Sequence, residues 1–104
     1  MAFERAWRAG DVEATLDFFA PDARLEVGAP IGRPLTGVRA VERFLRDRPM
    51  RDVWIDVTRK QVAGDRVTWS ARWRPPGSAD RVRGEITATF GDGRITALTL
   101  ARTR

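Results

Sequence analysis

Residues 9–27 read AGDVEATLDFFAPDARLEV, a run that holds a helix stop, a helix start, an amphipathic stripe and the entry into a strand. Gly10 is suited to end one helix in a left-handed conformation, and Asp11 to cap the next by accepting from its exposed N–H groups. Two helices therefore meet at Gly10-Asp11. Val12, Leu16 and Phe19, with Phe18 beside them, recur at i, i+4 and i+7, the stripe of a helix lying on a core. Pro21 is expected to close that helix, because proline removes a donor and clashes with the preceding turn. Residues 24–28 then alternate as a brief strand.

Working outward, Phe3, Ala6 and Trp7 lie on one side of a short helix over residues 2–9. Residues 29–37 carry two prolines and two glycines, which is loop chemistry. Thr36 is a suitable cap for a third helix, whose buried stripe is Val38, Val41, Phe44 and Leu45 and whose end is set by Pro49. From Arg51 the apolar period changes to two. Val53, Ile55 and Val57 alternate, Ala63-Gly64-Asp65 turns the chain, and Val67, Trp69, Ala71 and Trp73 alternate again. After a break at Pro75-Pro76-Gly77-Ser78, Val82, Ile86, Ala88 and Phe90 stand opposite Arg83, Glu85, Thr87 and Thr89. Gly91-Asp92-Gly93 signals a hairpin. The last strand, Ile95 to Arg102, changes apolar parity between Ile95 and the pair Leu98 and Leu100, which a bulge or a sheet covered on both faces explains. Helices first and hairpins after give an α+β domain, with helices packed on one face of a curved antiparallel sheet.

The 104 residues are expected to form one domain, 1–104. The chain contains no cysteine, histidine or tyrosine, which removes disulfides, thiol chemistry, the commonest metal ligand and the usual near-neutral acid or base. A reducing cytoplasm is the expected setting, no metal or cofactor is implied, and no acidic cluster marks a carboxylate-only cation site. The charged start, MAFERAWRAGD, is expected to be neither a signal peptide nor a membrane span. The net charge of +5 is dispersed, with acids interleaved even in the densest run from Arg39 to Arg51, so nucleic acid is not the expected partner.

The string from Gly10-Asp11 through Phe19-Ala20-Pro21-Asp22-Ala23, with the helix and strand order around it, resembles the SnoaL-like members of the nuclear transport factor two-like superfamily. That resemblance implies a cystatin-like cone, in which three N-terminal helices, the last two flanking a short strand, pack on a curved sheet enclosing a pocket. Relatives carry more residues before the first helix, so that helix is short here or the start lies upstream. Steroid isomerases of the superfamily use a tyrosine, a carboxylate base and a protonated aspartic acid. Here the matching positions are Phe3, Ala29 in Ala29-Pro30-Ile31-Gly32, and Ile86, with Glu85 one residue away on the opposite face. The epoxide hydrolase branch needs an aspartate near Leu100, and the polyketide cyclases a histidine or inward aspartate. The resemblance thus implies a shape and a pocket without a mechanism.

Glu26 remains the catalytic candidate: it ends the first strand, near where the family holds a carboxylate, and an apolar pocket would favour its neutral, proton-donating form. An exposed or Arg-paired carboxylate is the alternative. Asp56 and Arg72 have weaker claims, since each falls between residues expected to face the core. The pocket implied by the resemblance is lined by Phe3, Trp7 and Phe19 from the helices and by Trp54, Val67, Trp69 and Trp73 from the first two long strands. Ile86, Ala88 and Phe90 complete it. The same rings could instead fill the core of a small domain. The expected activity is binding of a small hydrophobic molecule; an isomerase, cyclase or lyase using Glu26 as acid or base is the alternative. A homodimer through the outer sheet face is also expected, where Thr, Arg and Glu alternate with Leu98 and Leu100.

Overall fold

The computed structural model describes residues 2–27, 35–47, 53–73 and 81–102. The readings made on Ala29 to Gly32, Pro49 and Pro75 to Ser78 lie outside them. Helix α1 (Ala2–Ala9) stops at Gly10, whose φ of 70° lets two bonds fold back: Gly10 N–H donates to the Trp7 carbonyl at 3.0 Å and Asp11 N–H to the Ala6 carbonyl at 3.1 Å. Asp11 then caps α2 (Val12–Leu16), its carboxylate accepting from Ala14 N–H at 3.0 Å.

Helix α2 is shorter than its apolar stripe suggests. Phe19 already belongs to β1 (Phe19–Val27), and the Phe18 carbonyl accepts from Ile95 N–H at 2.7 Å, so sheet pairing takes over where the stripe would continue. Pro21 therefore sits inside a strand rather than closing a helix. It is tolerated because the pairing of β1 is irregular between Phe19 and Arg24, where no ladder donor is required of it. Strand β2 (Leu35–Thr36) precedes α3 (Val38–Asp47). The first α3 bonds run to the Gly37 carbonyl, from Ala40 and Val41, and Gly37 has a φ of 103°, so Gly37 rather than Thr36 occupies the capping position.

Strands β3 (Val53–Ala63), β4 (Arg66–Trp73), β5 (Val82–Gly91) and β6 (Arg94–Arg102) form an antiparallel meander. The sheet order is β2-β1-β6-β5-β4-β3. It is mixed rather than purely antiparallel, because β1 lies parallel to β6. The β5–β6 hairpin turns on Asp92 and Gly93, both at positive φ, as a two-residue turn between twisted strands requires. The parity change in β6 is a bulge: Thr89 pairs with Ala97 while Phe90 pairs with Ile95, leaving Thr96 extra. Ile95, Leu98 and Leu100 are consequently all buried, so the two leucines face the core and not the outer surface.

A larger irregularity lies in β3, where Asp56 pairs with Ser70 but Lys60 pairs with Trp69, so residues 57–59 are additional. Asp56 holds this bulge, accepting from Thr58 N–H at 3.0 Å and Thr58 O–H at 2.6 Å. Those bonds keep the Asp56 carboxyl below the usual carboxylate range. The bulge also turns Lys60 inward. One face of the sheet, carrying Val67, Trp69, Ala71, Trp73, Ile86 and Ala88, packs against the helices through Phe3, Trp7, Val41 and Leu45. No helix among the described residues is long and apolar enough to cross a membrane.

Candidate functional site

The interior is organised on Phe3. Its ring lies 5.6 Å from Trp69, 5.9 Å from Trp7, 6.2 Å from Phe19 and 5.8 Å, edge-on, from Phe18. Burial of each large ring contributes about 2–3 kcal/mol, with edge contacts adding to it. The polar ends of the two central indoles are both satisfied: Trp7 Nε1 donates to the Val53 carbonyl at 2.9 Å, and Trp69 Nε1 donates to Glu4 Oε2 at 2.5 Å.

Glu4 is the feature that sequence reasoning passed over. It is only 5% exposed, and Lys60 Nζ stands 3.3 Å from its carboxylate. Burial pushes the Glu4 carboxyl up, but hydrogen bonds to it, those from Trp69 and Lys60 among them, outweigh burial and hold it below the usual range. The signal was present: Glu4 lies between Phe3 and Trp7 on the same helix face, three residues before Trp7.

Of the residues read as pocket lining, Phe3, Trp7, Phe19, Val67, Trp69, Trp73, Ile86 and Ala88 belong to one buried cluster, with Phe90 packed partly buried against it. Trp54 stands apart. Burial of Val53 and Ile55 sends the residue between them to the other face, where Trp54 is 43% exposed. Glu26 likewise lies on the face opposite buried Leu25, half-exposed, with Oε1 3.6 Å from Arg24 Nη2. The positions matched to the steroid isomerase tyrosine and aspartic acid, Phe3 and Ile86, are buried apolar side chains, as is Leu100. Ala29 lies outside the described residues.

Strand register places Val53, Trp73 and Val82 in one row across β3, β4 and β5, and Trp7 is tied to Val53 through its indole. At this same end β1, β4 and β6 finish and β3 and β5 begin. The apolar face therefore reaches this end of the sheet. The opposite face is polar and carries two grooves, of about 360 and 390 Å³, that share Arg59, Ser70 and Glu85. Among the described residues no group of three or more carboxylates gathers as a cation would need.

Known proteins fit this architecture. No curated protein matches the chain. In structure it is similar to a candidate polyketide cyclase from Sinorhizobium meliloti, at 25% identity over 95% of this chain and 89% of the other, with a TM-score of 0.77. A nuclear transport factor two-like protein from Mesorhizobium loti is similar at 25% identity, over 98% and 85% of the chains, with a TM-score of 0.76. A candidate ketosteroid isomerase from Kribbella flavida shares the fold at 20% identity, over 99% and 73%, with a TM-score of 0.79. The SnoaL-like domain family matches residues 1–98, and the chain belongs to that family.

Proposed function

We propose that this domain binds a small hydrophobic molecule against the inner face of the sheet, at the end formed by Trp7, Val53, Trp73 and Val82. The observation that carries this reading is the composition of that end. Its side chains are apolar or aromatic, and the indole N–H of Trp7 is already satisfied by the Val53 carbonyl, so a molecule entering between these largely buried side chains would meet apolar contact. Membership of a family that often binds small hydrophobic ligands supports it. The names of two fold neighbours, which concern polyketide and ketosteroid chemistry, point to ring-shaped ligands.

Catalysis as an isomerase, cyclase or lyase, with Glu26 as acid or base, is the alternative. Its support is the position of Glu26 near the end of β1, beside the same sheet end; the Arg24 pair would have to open for it to act. The assembly that accompanies either reading is a homodimer through the outer sheet face, and the absence of cysteine suits a reducing cytoplasm.

The four tryptophans supply the test, since each indole N–H gives its own NMR signal. Titration with 2-naphthol is expected to move the Trp7 and Trp73 signals saturably and leave Trp54 in place. Absence of any saturable change at Trp7 and Trp73 up to the solubility limit of 2-naphthol would remove the proposal.

A further inference from the structure

The outer face carries a feature that the inner site does not explain. Trp54, Arg72 and Arg83 are direct cross-strand partners, one each on β3, β4 and β5, and so form a single row. Like charges directly opposite one another destabilise a sheet, yet Arg72 and Arg83 face each other. Among the described residues no carboxylate lies within salt-bridge distance of either guanidinium. The Arg72 guanidinium instead stands 6.0 Å from the centre of the Trp54 ring.

The surroundings define what would complete the row. Trp54, Arg72 and Arg83 line the groove of about 360 Å³, a volume within the usual range for small-molecule sites. Arg59 adds a third positive charge, and Glu85 and Asp56 supply two negative ones, leaving the lining with a single positive excess. Asp56 is turned to Thr58, and Ser70 offers a hydroxyl between it and Glu85. Neighbouring strands are about 4.8 Å apart, so the row from Trp54 to Arg83 spans about 10 Å, the length of a two-ring aromatic acid.

We infer that this groove is a second binding site, for a planar aromatic monoanion, whose carboxylate is forked between Arg72 and Arg83 and whose ring lies along Arg72 and Trp54. Paired guanidiniums match a carboxylate's two oxygens, and the guanidinium plane and the indole both stack on an aromatic face. A monoanion neutralises the excess charge of the lining, whereas a polyanion would meet Glu85. This site is on the opposite face from the apolar end and does not depend on it.

The probe is 2-naphthoate, followed through the Trp54 indole signal, with sedimentation of the same samples. Saturable movement of Trp54 is expected, with Trp7 and Trp73 unmoved, and neutral 2-naphthol should leave Trp54 unchanged. Arg72→Gln and Arg83→Gln should each weaken affinity about tenfold or more, since each removes a charged fork. Arg66→Gln, on the same face in a distant row, should leave it unchanged. Both arginines are exposed, so folding of the variants is not at issue, and relief of the Arg72–Arg83 repulsion should keep their unfolding midpoints equal to or above that of the parent. The proposal is overturned if Trp54 shows no saturable shift, or if Arg66→Gln weakens binding as much as the other two, which would mark diffuse attraction. A dimer that covers Trp54 and that 2-naphthoate neither enters nor dissociates would overturn it as well.

Discussion

Glu4 on α1 and Trp69 near the middle of β4 are joined inside the protein by a 2.5 Å hydrogen bond from the indole N–H to the carboxylate. The pair fastens the first helix to the sheet, and Lys60 Nζ stands 3.3 Å from the same carboxylate oxygen, Oε2. Replacement by leucine would strand the buried indole N–H and is expected to cost about 1–3 kcal/mol; Glu4→Gln, which still accepts from Trp69, should cost less. The folded carboxyl sits below its ordinary value. Its contribution is therefore fully present above the unfolded value of about 4.3 and is lost as pH falls through the lower folded one. Urea unfolding from neutral pH downward should show the parent losing stability across that window more steeply than Glu4→Gln. Parallel curves would show that Glu4 is not the titrating group.

Gly84 answers to Trp73 in the same way. A Cβ at position 84 would lie 2.1 Å from Trp73 Cη2 and 2.4 Å from the Ala101 carbonyl oxygen, so the indole packs against a glycine that nothing larger can replace without movement. Gly84→Ala is expected to cost about 1–3 kcal/mol by overpacking. Trp73→Phe in the same chain should recover part of that loss, because it removes the ring clash but not the backbone one. A double variant as unstable as the sum of the singles would show that Trp73 is not the obstacle.

Much of this architecture was legible because local rules and tertiary packing agree. Gly10-Asp11 gave a helix stop and a cap, Asp92-Gly93 a hairpin, and the shift from period four to period two located the meander. The misreadings of the sheet share one cause, competition from partners distant in sequence. Phe19 fits a helical stripe equally well, but Ile95 recruits the chain into the sheet first. The parallel pairing of β1 with β6 leaves no mark in either segment, since nothing local names a partner more than seventy residues away. At the site, residue type groups Trp54 with the other tryptophans, but the parity of Val53 and Ile55 sends it outward. Glu4 escapes the sequence because a carboxylate inside an apolar stripe reads as a surface residue until Trp69 and Lys60 are brought beside it.

Self-association is expected to use the outer face where threonines are aligned. Thr68 and Thr87 are cross-strand partners with hydroxyls 3.1 Å apart, and Thr99 continues the row on β6. Because Leu98 and Leu100 face inward, the contact must be polar and wet rather than hydrophobic. Thr87→Arg would set like charges against each other across a two-fold axis. Sedimentation should show a dimer in the parent at roughly tens of micromolar, as an interface of standard size permits, and a monomer in Thr87→Arg. A parent that stays monomeric at that concentration removes the dimer.

Glu26 separates binder from enzyme. It shares the outer face with Arg24, the two charges are 3.6 Å apart, and both side chains are about half exposed. A pair of this kind contributes about 0–1 kcal/mol, because water screens it and two long side chains must be ordered to make it. Glu26→Gln and Arg24→Gln should therefore each cost less than about 1 kcal/mol, with a double-mutant coupling of the same small size. For a binder, Glu26→Gln leaves the affinity for 2-naphthol at the Trp7 and Trp73 end unchanged. For a catalyst, the carboxyl must reach the bound molecule, and replacing it by an amide, which cannot give up or take a proton in its place, would change that affinity by about tenfold. The expected outcome is a small stability loss with unaltered affinity. An affinity change of that size, carried by Glu26→Gln but not by Arg24→Gln, would instead place the carboxyl at the ligand and make acid–base chemistry the function to pursue.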